Sequence, residues 1–282
     1  MRKTQLTKKK YVHFVSKELV APHQPVNVAL IGAGGTGTAL LSGLARINYS
    51  LIALGHPGLI VHVFDGDTVS DSNIGRQLFS VADLGMNKAS VQVTRINNFF
   101  AFQWRAIPEM FENKYLESVR ERIPLVISAV DTGKARVLIR KAIHKKAVYW
   151  LDTGNTVNTG QVIFGTLTPV QQPERNGVMT AEYLPTVTDL YPDIKEQDRK
   201  SFQGPSCSLE EALRRQDLFI NQQVATCALK LLWRALRKGM LTTSGSFVNL
   251  ESLTPERAFP IDPDVWKRMG WTERKTGKNN RR

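Results

Sequence analysis

The sequence predicts an α/β fold in which a doubly wound, mostly parallel sheet carries helices on both faces. An apolar run at residues 26–31 leads into a glycine cluster at residues 32–37, and a helical pattern follows at once. Three further apolar runs, at residues 59–64, 125–130 and 148–151, alternate with helical patterns. Such alternation is typical of parallel sheets, because each crossover connection lays a helix on one face of the sheet.

The individual elements follow from the spacing of apolar residues. A period near 3.6 residues predicts helices, whereas short continuous apolar runs predict buried strands. The predicted helices cover about residues 38–53, 88–100, 111–122, 131–146 and 208–238, the last as two helices or one kinked helix. The predicted strands cover about residues 26–31, 59–64, 104–110, 125–130, 148–151, 162–167 and 247–250.

Composition limits the possible classes of protein. At 282 residues and 42% hydrophobic residues, the chain is long enough to bury a full core in one large domain. No apolar run approaches the ~20 residues of a membrane-spanning helix, and the start has no secretory signal, so we expect no membrane association. Two cysteines are too few for a disulfide framework or a four-cysteine zinc site. These features predict a cytoplasmic protein.

The positive charge is concentrated at the two ends of the chain. The formal net charge is +13, and residues 1–25 hold six basic side chains against one acidic. Residues 272–282 hold five basic side chains against one acidic. We therefore predict a basic N-terminal arm at 1–25 and a basic tail at 271–282, mobile and solvated. The alternative is that these ends, and only these, contact nucleic acid or another acidic partner.

The remaining residues divide into three stretches. Residues 26–167 form the predicted α/β core with its nucleotide site. Residues 168–206 hold five prolines and many polar groups, which predicts a long crossover loop. Residues 207–270 are predicted to add C-terminal helices and a strand that complete the same domain.

The glycine cluster predicts a phosphate-binding turn. Gly32, Gly34 and Gly37 fit the G-x-G-x-x-G spacing of Rossmann-like nucleotide-binding folds, between a strand and a helix. Glycines permit a tight turn, and the free N–H groups and dipole of the helix favour an anion. The turn is not a P-loop, because no Gly-Lys-Ser/Thr follows. A glycine-rich turn in an unrelated fold is the alternative.

Polar residues beyond the second strand separate two kinds of nucleotide chemistry. Asp65 ends that strand, where a carboxylate can accept hydrogen bonds from ribose hydroxyls. It lies 28 residues after Gly37, more than the ~20 typical of NAD proteins, so an NAD-dependent oxidoreductase is disfavoured but stays open. Arg76 and Lys88 suit adenylyl transfer instead, because negative charge then builds on the α-phosphate and on pyrophosphate.

The run of residues 65–77 (DGDTVSDSNIGRQ), with Lys88-Ala89 and with Asp131-Thr132 and Arg136, resembles the ThiF/MoeB/E1 family. Members of that family activate ubiquitin-like proteins with ATP. The family pattern also includes the G-x-G-G-x-G loop, and the resemblance covers about residues 26–240. Within the family, the chain looks most like the ThiF-related members of plasmid-borne PRTRC cassettes.

This resemblance implies an adenylyltransferase that uses ATP and Mg²⁺ on the C-terminal carboxylate of a small ubiquitin-like protein, and it implies a homodimer. It also implies roles for residues. Asp65 holds the ribose, and Asp131 holds Mg²⁺. The triphosphate is lined by Asn73, Arg76, Gln77 and Lys88. The implied nucleotide-binding residues are Gly32, Gly34, Gly35, Gly37, Asp65, Asp67, Asn73, Arg76, Gln77, Lys88 and Asp131. Among these, Arg76, Lys88 and Asp131 are the catalytic candidates.

Each polar candidate has a simpler alternative. Asp131 could be a helix N-cap, Asp67 an ordinary turn residue, and Lys88 and Arg136 surface charges. The zinc-binding C-x-x-C pairs of many relatives are absent from the sequence, so no structural zinc is expected. Their N-terminal Arg-Tyr segment has no clear match either. A non-catalytic nucleotide-binding scaffold is therefore a third hypothesis.

Cys207 is the fourth catalytic candidate, as the nucleophile of a thioester. It directly precedes an S-x-x-E capping-box pattern at residues 208–211, and a helix N-terminus favours a thiolate. Glu210 and Glu211 oppose that effect, and a plain loop cysteine is the alternative. Cys227 lies in the middle of a predicted helix and is expected in the core.

Overall fold

The computed structural model of the chain describes residues 11–112, 122–144, 146–201, 210–211, 214 and 216–271. Strands and helices alternate through its first half, and strands predominate near its end. The strands are β1 Tyr11–Phe14, β2 Val26–Ile31, β3 Leu59–Phe64, β4 Arg105–Ile107, β5 Leu125–Ser128, β6 Tyr149–Asn155, β7 Thr159–Thr166, β8 Met179–Thr180, β9 Met240–Leu241, β10 Thr243–Asn249 and β11 Glu256–Pro260. The helices are α1 Lys17–Val20, α2 Gly35–Ala53, α3 Lys88–Phe100, α4 Gly133–Ile143, α5 Val187–Leu190, α6 Ile194–Ser201, α7 Ile220–Lys238 and α8 Pro263–Arg268.

An eight-stranded sheet in the order β11-β10-β7-β6-β5-β2-β3-β4 organises the molecule. Strands β6, β5, β2, β3 and β4 are parallel, and β7, β10 and β11 extend the sheet antiparallel. From β2 the chain advances to one edge, and from β5 to the other. Right-handed crossovers then place α2 and α3 on one face and α4 on the opposite face. The predicted doubly wound α/β fold is confirmed.

The central strands are apolar on both sides because helices cover both faces of the sheet. Val28, Leu30 and Ile127 are fully buried. Helix α2 turns Leu40 and Leu44 into this core and packs against α7, which also contacts β6 and β7. On the other face, α4 contacts α5 and α6. Two helical layers therefore enclose the sheet and leave its strand ends accessible.

The loops that follow β2, β3 and β5 meet at one end of the sheet. The N–H of Gly32 donates to the carbonyl of Phe64 at 2.8 Å, and the N–H of Ala129 donates to the carbonyl of Ile31 at 2.8 Å. Strands β2 and β5 are neighbours whose crossovers leave in opposite directions, so this end is a topological switch point. Ligands of open α/β sheets bind at such a crevice.

The N-terminal segment differs from the predicted arm. From residue 11 onward it is folded, because β1 lies between β8 and β9 in a separate three-stranded sheet, and Leu19 is buried. The apolar residues Val12, Val15 and Leu19 are buried here, and their burial stabilises the segment. Residues 1–10 and 272–282, which account for most of the net positive charge, lie outside the described residues.

Two further stretches are more structured than the sequence predicted. The predicted crossover loop contains β8, α5 and α6, and β8 pairs with β1 in parallel. The C-terminal part contains β10 and β11 in the main sheet rather than a single strand near residues 247–250. Strand β8 has two residues and pairs with a distant segment, whereas β11 pairs with the neighbouring β10.

A buried imidazole fastens the N-terminal segment to the core. His13 Nδ1 lies 2.7 Å from the carbonyl oxygen of Ala181, and Nε2 lies 2.9 Å from the hydroxyl of Tyr149. The carbonyl only accepts, so Nδ1 carries the proton and Nε2 accepts from Tyr149. The Tyr149 oxygen in turn accepts from the N–H of Ser16 at 2.9 Å. Burial lowers the pKa of His13, which favours the neutral ring that these hydrogen bonds use.

Acidification should therefore weaken the fold. The unfolded chain takes up a proton on His13 near pH 6.5, whereas the folded state resists protonation until a lower pH. The free energy of unfolding should fall by up to about 1.4 kcal/mol per pH unit in the range just below 6.5. Urea unfolding measured across this range tests the expectation. His13→Gln should reduce the slope, and His23→Gln, at an exposed site, should keep it. Equal slopes for His13→Gln and wild type would contradict it.

Candidate active site

The glycine loop contains two positions that admit no side chain and one that is open. Gly32 has φ +96°, and an added Cβ would lie 2.4 Å from the carbonyl oxygen of Ala129. A Cβ on Gly37 would lie 2.0 Å from the carbonyl oxygen of Gly32. Around Gly34, by contrast, nothing described lies within 4 Å of an added Cβ. Helix α2 begins directly after Gly34, so its free N–H groups face this open side of the loop.

Asp65 joins the end of β3 to the glycine loop. Its Oδ2 accepts from the N–H of Ala33 at 2.6 Å, and its Oδ1 accepts from the N–H of Asp67 at 2.8 Å. Burial raises the pKa of the Asp65 carboxyl, and the two N–H donors oppose that effect. Each carboxylate oxygen has a second lone pair, so the group can accept further donors such as ribose hydroxyls.

Lys88 lies near Asp65 and pairs with Asp67. Its Nζ is 3.1 Å from Asp67 Oδ2, and the side chains of Lys88 and Asp67 are 11% and 66% exposed. Asn87 holds the two segments together, because its Nδ2 donates to the carbonyls of Asp65 at 2.7 Å and Asp67 at 3.1 Å. The alternative of a surface charge for Lys88 is wrong, and Asp67 is an ion-pair partner as well as a turn residue.

Asn73 shapes the turn that leads to the next two candidates. It is buried, and its Oδ1 accepts from the N–H of Ser70 at 3.0 Å and from the Ser70 hydroxyl at 3.2 Å. Its carbonyl accepts from the N–H of Gln77 at 2.9 Å. These contacts set the course of the backbone through Arg76.

Arg76 and Gln77 each bury one polar atom without a partner. Arg76 Nη1 donates to Gln216 Oε1 at 2.6 Å, but Arg76 Nε and Gln77 Oε1 have no hydrogen-bond partner among the described residues. Burial lowers the pKa of Arg76, and the nearby Asp131 carboxylate opposes that effect. An unpaired buried polar atom costs about 1–3 kcal/mol. The pair suits a ligand that offers both an acceptor and a donor.

Asp131 follows β5 on the other side of the switch point and is exposed. The N-cap of α4 is Thr132, whose Oγ1 accepts from the N–H of Ala135 at 3.1 Å. The N–H groups of Gly133 and Lys134 donate to the Asp198 carboxylate. The N-cap alternative for Asp131 is therefore wrong. Its exposed carboxylate lies close enough to Arg76 to oppose the effect of burial on the pKa of that guanidinium.

Arg136 is buried, so the surface-charge alternative is wrong and the side chain is not exposed to a ligand in the crevice. It is 6% exposed, and its Nε donates to the Asp152 carboxylate at 2.9 and 3.1 Å. Its Nη2 donates to the carbonyl of Thr153 at 2.9 Å. Burial raises the pKa of Asp152, whereas Arg136 and the donated hydrogen bond of the Ser128 hydroxyl oppose it. This ion pair fastens α4 to β6.

Several polar residues at the site were not predicted from the sequence. Thr36 Oγ1, in the first turn of α2, donates to Asn221 Oδ1 at 2.9 Å, and Asn221 Nδ2 donates to Gln216 Oε1 at 3.0 Å. The Oδ1 of Asn155, at the end of β6, lies 3.4 Å from the Thr36 hydroxyl. Thr36 lies inside the glycine motif, which was a usable signal. Gln216 and Asn221 carry no recognisable pattern.

The two cysteines have different outcomes. Cys207 lies outside the described residues. Cys227 is buried, and burial raises the pKa of its thiol to about 11, so its predicted core position is confirmed.

Within the described ranges, no group of three His, Cys, Asp or Glu side chains could hold a metal ion. None of the described helices is long and apolar enough to cross a bilayer.

Comparison with known sequences supports the resemblance. A sequence model of the ThiF family matches residues 10–264 of this chain. Ubiquitin-like modifier-activating enzyme 5 of Culex quinquefasciatus is 25% identical over 146 residues, which are 47% of this chain and 34% of that protein. Ubiquitin-like modifier-activating enzyme 1 of Dictyostelium discoideum is 31% identical over 120 residues, 40% of this chain and 11% of that protein. The matches thus span about a third or less of these relatives.

Solved structures share the fold. PaaA superposes with a TM-score of 0.56 and 16% identity, over 84% of this chain and 64% of that chain. MccB of E. coli, in a structure with ATP, superposes with a TM-score of 0.53 and 15% identity, over 83% and 63%. At these identities, the likeness concerns the fold alone.

The glycines offer a matched pair of substitutions. Gly32→Ala should lower the free energy of unfolding by about 1–3 kcal/mol, because it combines a positive φ with a backbone clash. Gly34→Ala should leave stability nearly unchanged, because its methyl group enters open space. Urea unfolding at neutral pH measures both. A Gly32→Ala protein as stable as Gly34→Ala would contradict the close approach of the two loops.

Proposed function

This chain belongs to the ThiF family, and we propose that it is an E1-like adenylyltransferase. It uses ATP to activate the C-terminal carboxylate of a small ubiquitin-like or carrier protein. The observation that carries the proposal is the open glycine turn together with the buried Arg76 Nε, a donor that has no partner among the described residues. The names of the relatives and the ATP bound to the structural neighbour MccB support the choice of nucleotide and substrate.

Each part of ATP has a proposed partner. The phosphates lie over Gly34 and Gly35, against the N-terminus of α2, where N–H groups and the dipole favour anions. Asp65 accepts hydrogen bonds from the ribose hydroxyls. Asn73, Gln77, Arg76 and Lys88 line the triphosphate, the last two as cations. The exposed Asp131 carboxylate is a hard oxygen donor of the kind that Mg²⁺ prefers, and it would hold that ion beside the phosphates.

The proposed reaction is a substitution at the α-phosphorus. A carboxylate oxygen of the substrate protein forms a bond to this phosphorus, and the bond to the oxygen that bridges to the β-phosphate breaks. Pyrophosphate leaves, and the acyl-adenylate remains. Arg76 and Lys88 would stabilise the charge that develops on the phosphate oxygens, which is where cations lower the barrier most. Bound Mg²⁺ supplies further neutralisation of the leaving group.

A second step transfers the acyl group to Cys207. The thiolate attacks the acyl carbon, the bond to the adenylate oxygen breaks, and AMP leaves. Cys227 is unsuited to this step, because its thiol is buried and its pKa is raised to about 11. Contact of the chain with nucleic acid through its basic ends, the homodimer, the PRTRC relationship and a cytoplasmic location stay predictions.

ATP–pyrophosphate exchange with small proteins that end in Gly-Gly tests the first step. Lys88→Ala and Asp131→Ala should each lower kcat/KM by about 100-fold or more, because each removes charge stabilisation in the transition state. Lys141→Ala, at an exposed position in the last turn of α4, is the matched control and should retain wild-type exchange.

Two results would contradict the proposed first step. Binding of NADH without binding of ATP would favour an oxidoreductase instead. ATP binding without exchange for any candidate substrate, together with unchanged biological activity of Asp131→Ala, would favour a nucleotide-binding scaffold.

A thioester-trapping assay tests the second step. In the presence of ATP and substrate, wild type should form an adduct that survives non-reducing electrophoresis and disappears on addition of thiol. Cys207→Ser should lose that adduct but retain ATP–pyrophosphate exchange. Cys227→Ser, the control, should keep the adduct because this thiol is buried. Wild-type adduct formation by Cys207→Ser would exclude Cys207 as the acceptor.

A further inference from the structure

A chain of hydrogen bonds connects the start of α2 to Arg76 through two side chains near the start of α7. Thr36 Oγ1 donates to Asn221 Oδ1 at 2.9 Å, and Asn221 Nδ2 donates to Gln216 Oε1 at 3.0 Å. Gln216 Oε1 also accepts from Arg76 Nη1 at 2.6 Å. Thr36 and Asn221 are buried, and an added Cβ on Gly35 would lie 2.6 Å from the Asn221 amide. These hydrogen-bonded side chains are therefore tightly packed.

Arg76 determines the orientation of both amides. A guanidinium group only donates hydrogen bonds, so the Gln216 atom beside it must be the carbonyl oxygen. The same oxygen requires the NH₂ group of Asn221 as its second donor. The Asn221 oxygen is then left for the hydroxyl of Thr36. Each group has one consistent orientation, which restricts the rotation of the Arg76 side chain.

Among the described residues, the hydrogen-bond acceptor of Arg76 is the neutral amide oxygen of Gln216. A carboxylate at residue 216 would pair with the guanidinium and cancel most of its charge. The amide oxygen of Gln216 holds Nη1 without cancelling that charge, and Nε stays buried with no partner among the described residues. Gln216 thus leaves the positive charge of Arg76 uncancelled, and the nearby carboxylate of Asp131 is the proposed Mg²⁺ ligand. The Nε of Arg76 is a donor that an anion could use.

From this geometry we infer that Gln216 is a positioning residue for phosphate binding. This inference rests on the proposed nucleotide site. It adds to that site a residue that lies outside the glycine loop and outside residues 65–88. Gln216 holds Arg76 in the orientation that leaves Nε for a phosphate oxygen, and Asn221 holds Gln216. Since Gln216 lies nine residues after Cys207, the contact also links the phosphate site to the segment that follows the proposed nucleophile.

Gln216→Glu tests the electrostatic part of this role. Isothermal titration of inorganic pyrophosphate and of ATP, each with Mg²⁺, should show binding about tenfold or more weaker than wild type. The thermal unfolding midpoint should stay the same or rise, because the introduced carboxylate would form an ion pair with Arg76. The matched control is Gln222→Glu, which adds the same charge at an exposed position of α7 and should bind like wild type.

Gln216→Met supplies a second test, because it removes the acceptor without adding charge. Its affinity for pyrophosphate should lie between those of wild type and Gln216→Glu, whereas its thermal midpoint should be the lowest of the three. If Gln216 acted only in folding, affinity would follow thermal stability. Gln216→Met would then bind pyrophosphate more weakly than Gln216→Glu. Equal affinities of wild type, Gln216→Glu and Gln216→Met would overturn the inference.

Failure of the proposed function gives a different result from failure of this inference. If wild type binds pyrophosphate and ATP but catalyses no exchange, adenylyl transfer is wrong and the role of Gln216 still holds. Wild type that binds both ligands no better than Gln216→Glu overturns the role of Gln216 alone. Wild type that binds neither ligand overturns both.

Discussion

The arrangement of the site depends on the close approach of two backbone segments, the glycine loop after β2 and the loop after β5. An added Cβ on Gly32 would lie 2.4 Å from the carbonyl oxygen of Ala129, and one on Gly37 would lie 2.0 Å from the carbonyl oxygen of Gly32. Only glycine permits this approach, and it brings the N-terminus of α2 to the switch point of the sheet. Asp65 stabilises the same loop by accepting the N–H of Ala33. The side of the loop at Gly34, where we propose that phosphates bind, is thereby left open.

The two cations of the site are held in chemically different ways. Lys88 is buried and pairs with the carboxylate of Asp67, which is 66% exposed, so solvent reaches one side of this ion pair. Arg76 is held by the neutral oxygen of Gln216 and buries an Nε that is unpaired among the described residues. In the proposed nucleotide complex, Lys88 would exchange Asp67 for a phosphate oxygen, whereas Arg76 would keep Gln216 and use its Nε.

Much of the fold and part of the site were predictable from local patterns. Apolar runs predicted the central strands, because β2, β3 and β5 are covered on both faces and need no polar alternation. The glycine spacing predicted the turn and the helix that follows it. Short strands such as β1 and β8 were missed, because two to four residues carry too little pattern and pair only with distant segments.

The amino-acid order alone was sufficient for the glycine turn before α2 and for the proximity of Asp65, Asp67 and Lys88. These three residues lie within one strand-loop-helix segment. Tertiary structure decided which charges remain available. It buries Arg136 against Asp152 on β6, and it brings Gln216 to Arg76 across 140 residues of sequence. Both contacts join residues of different elements, and the packing of helices on a sheet, rather than any local periodicity, determines which of those side chains meet.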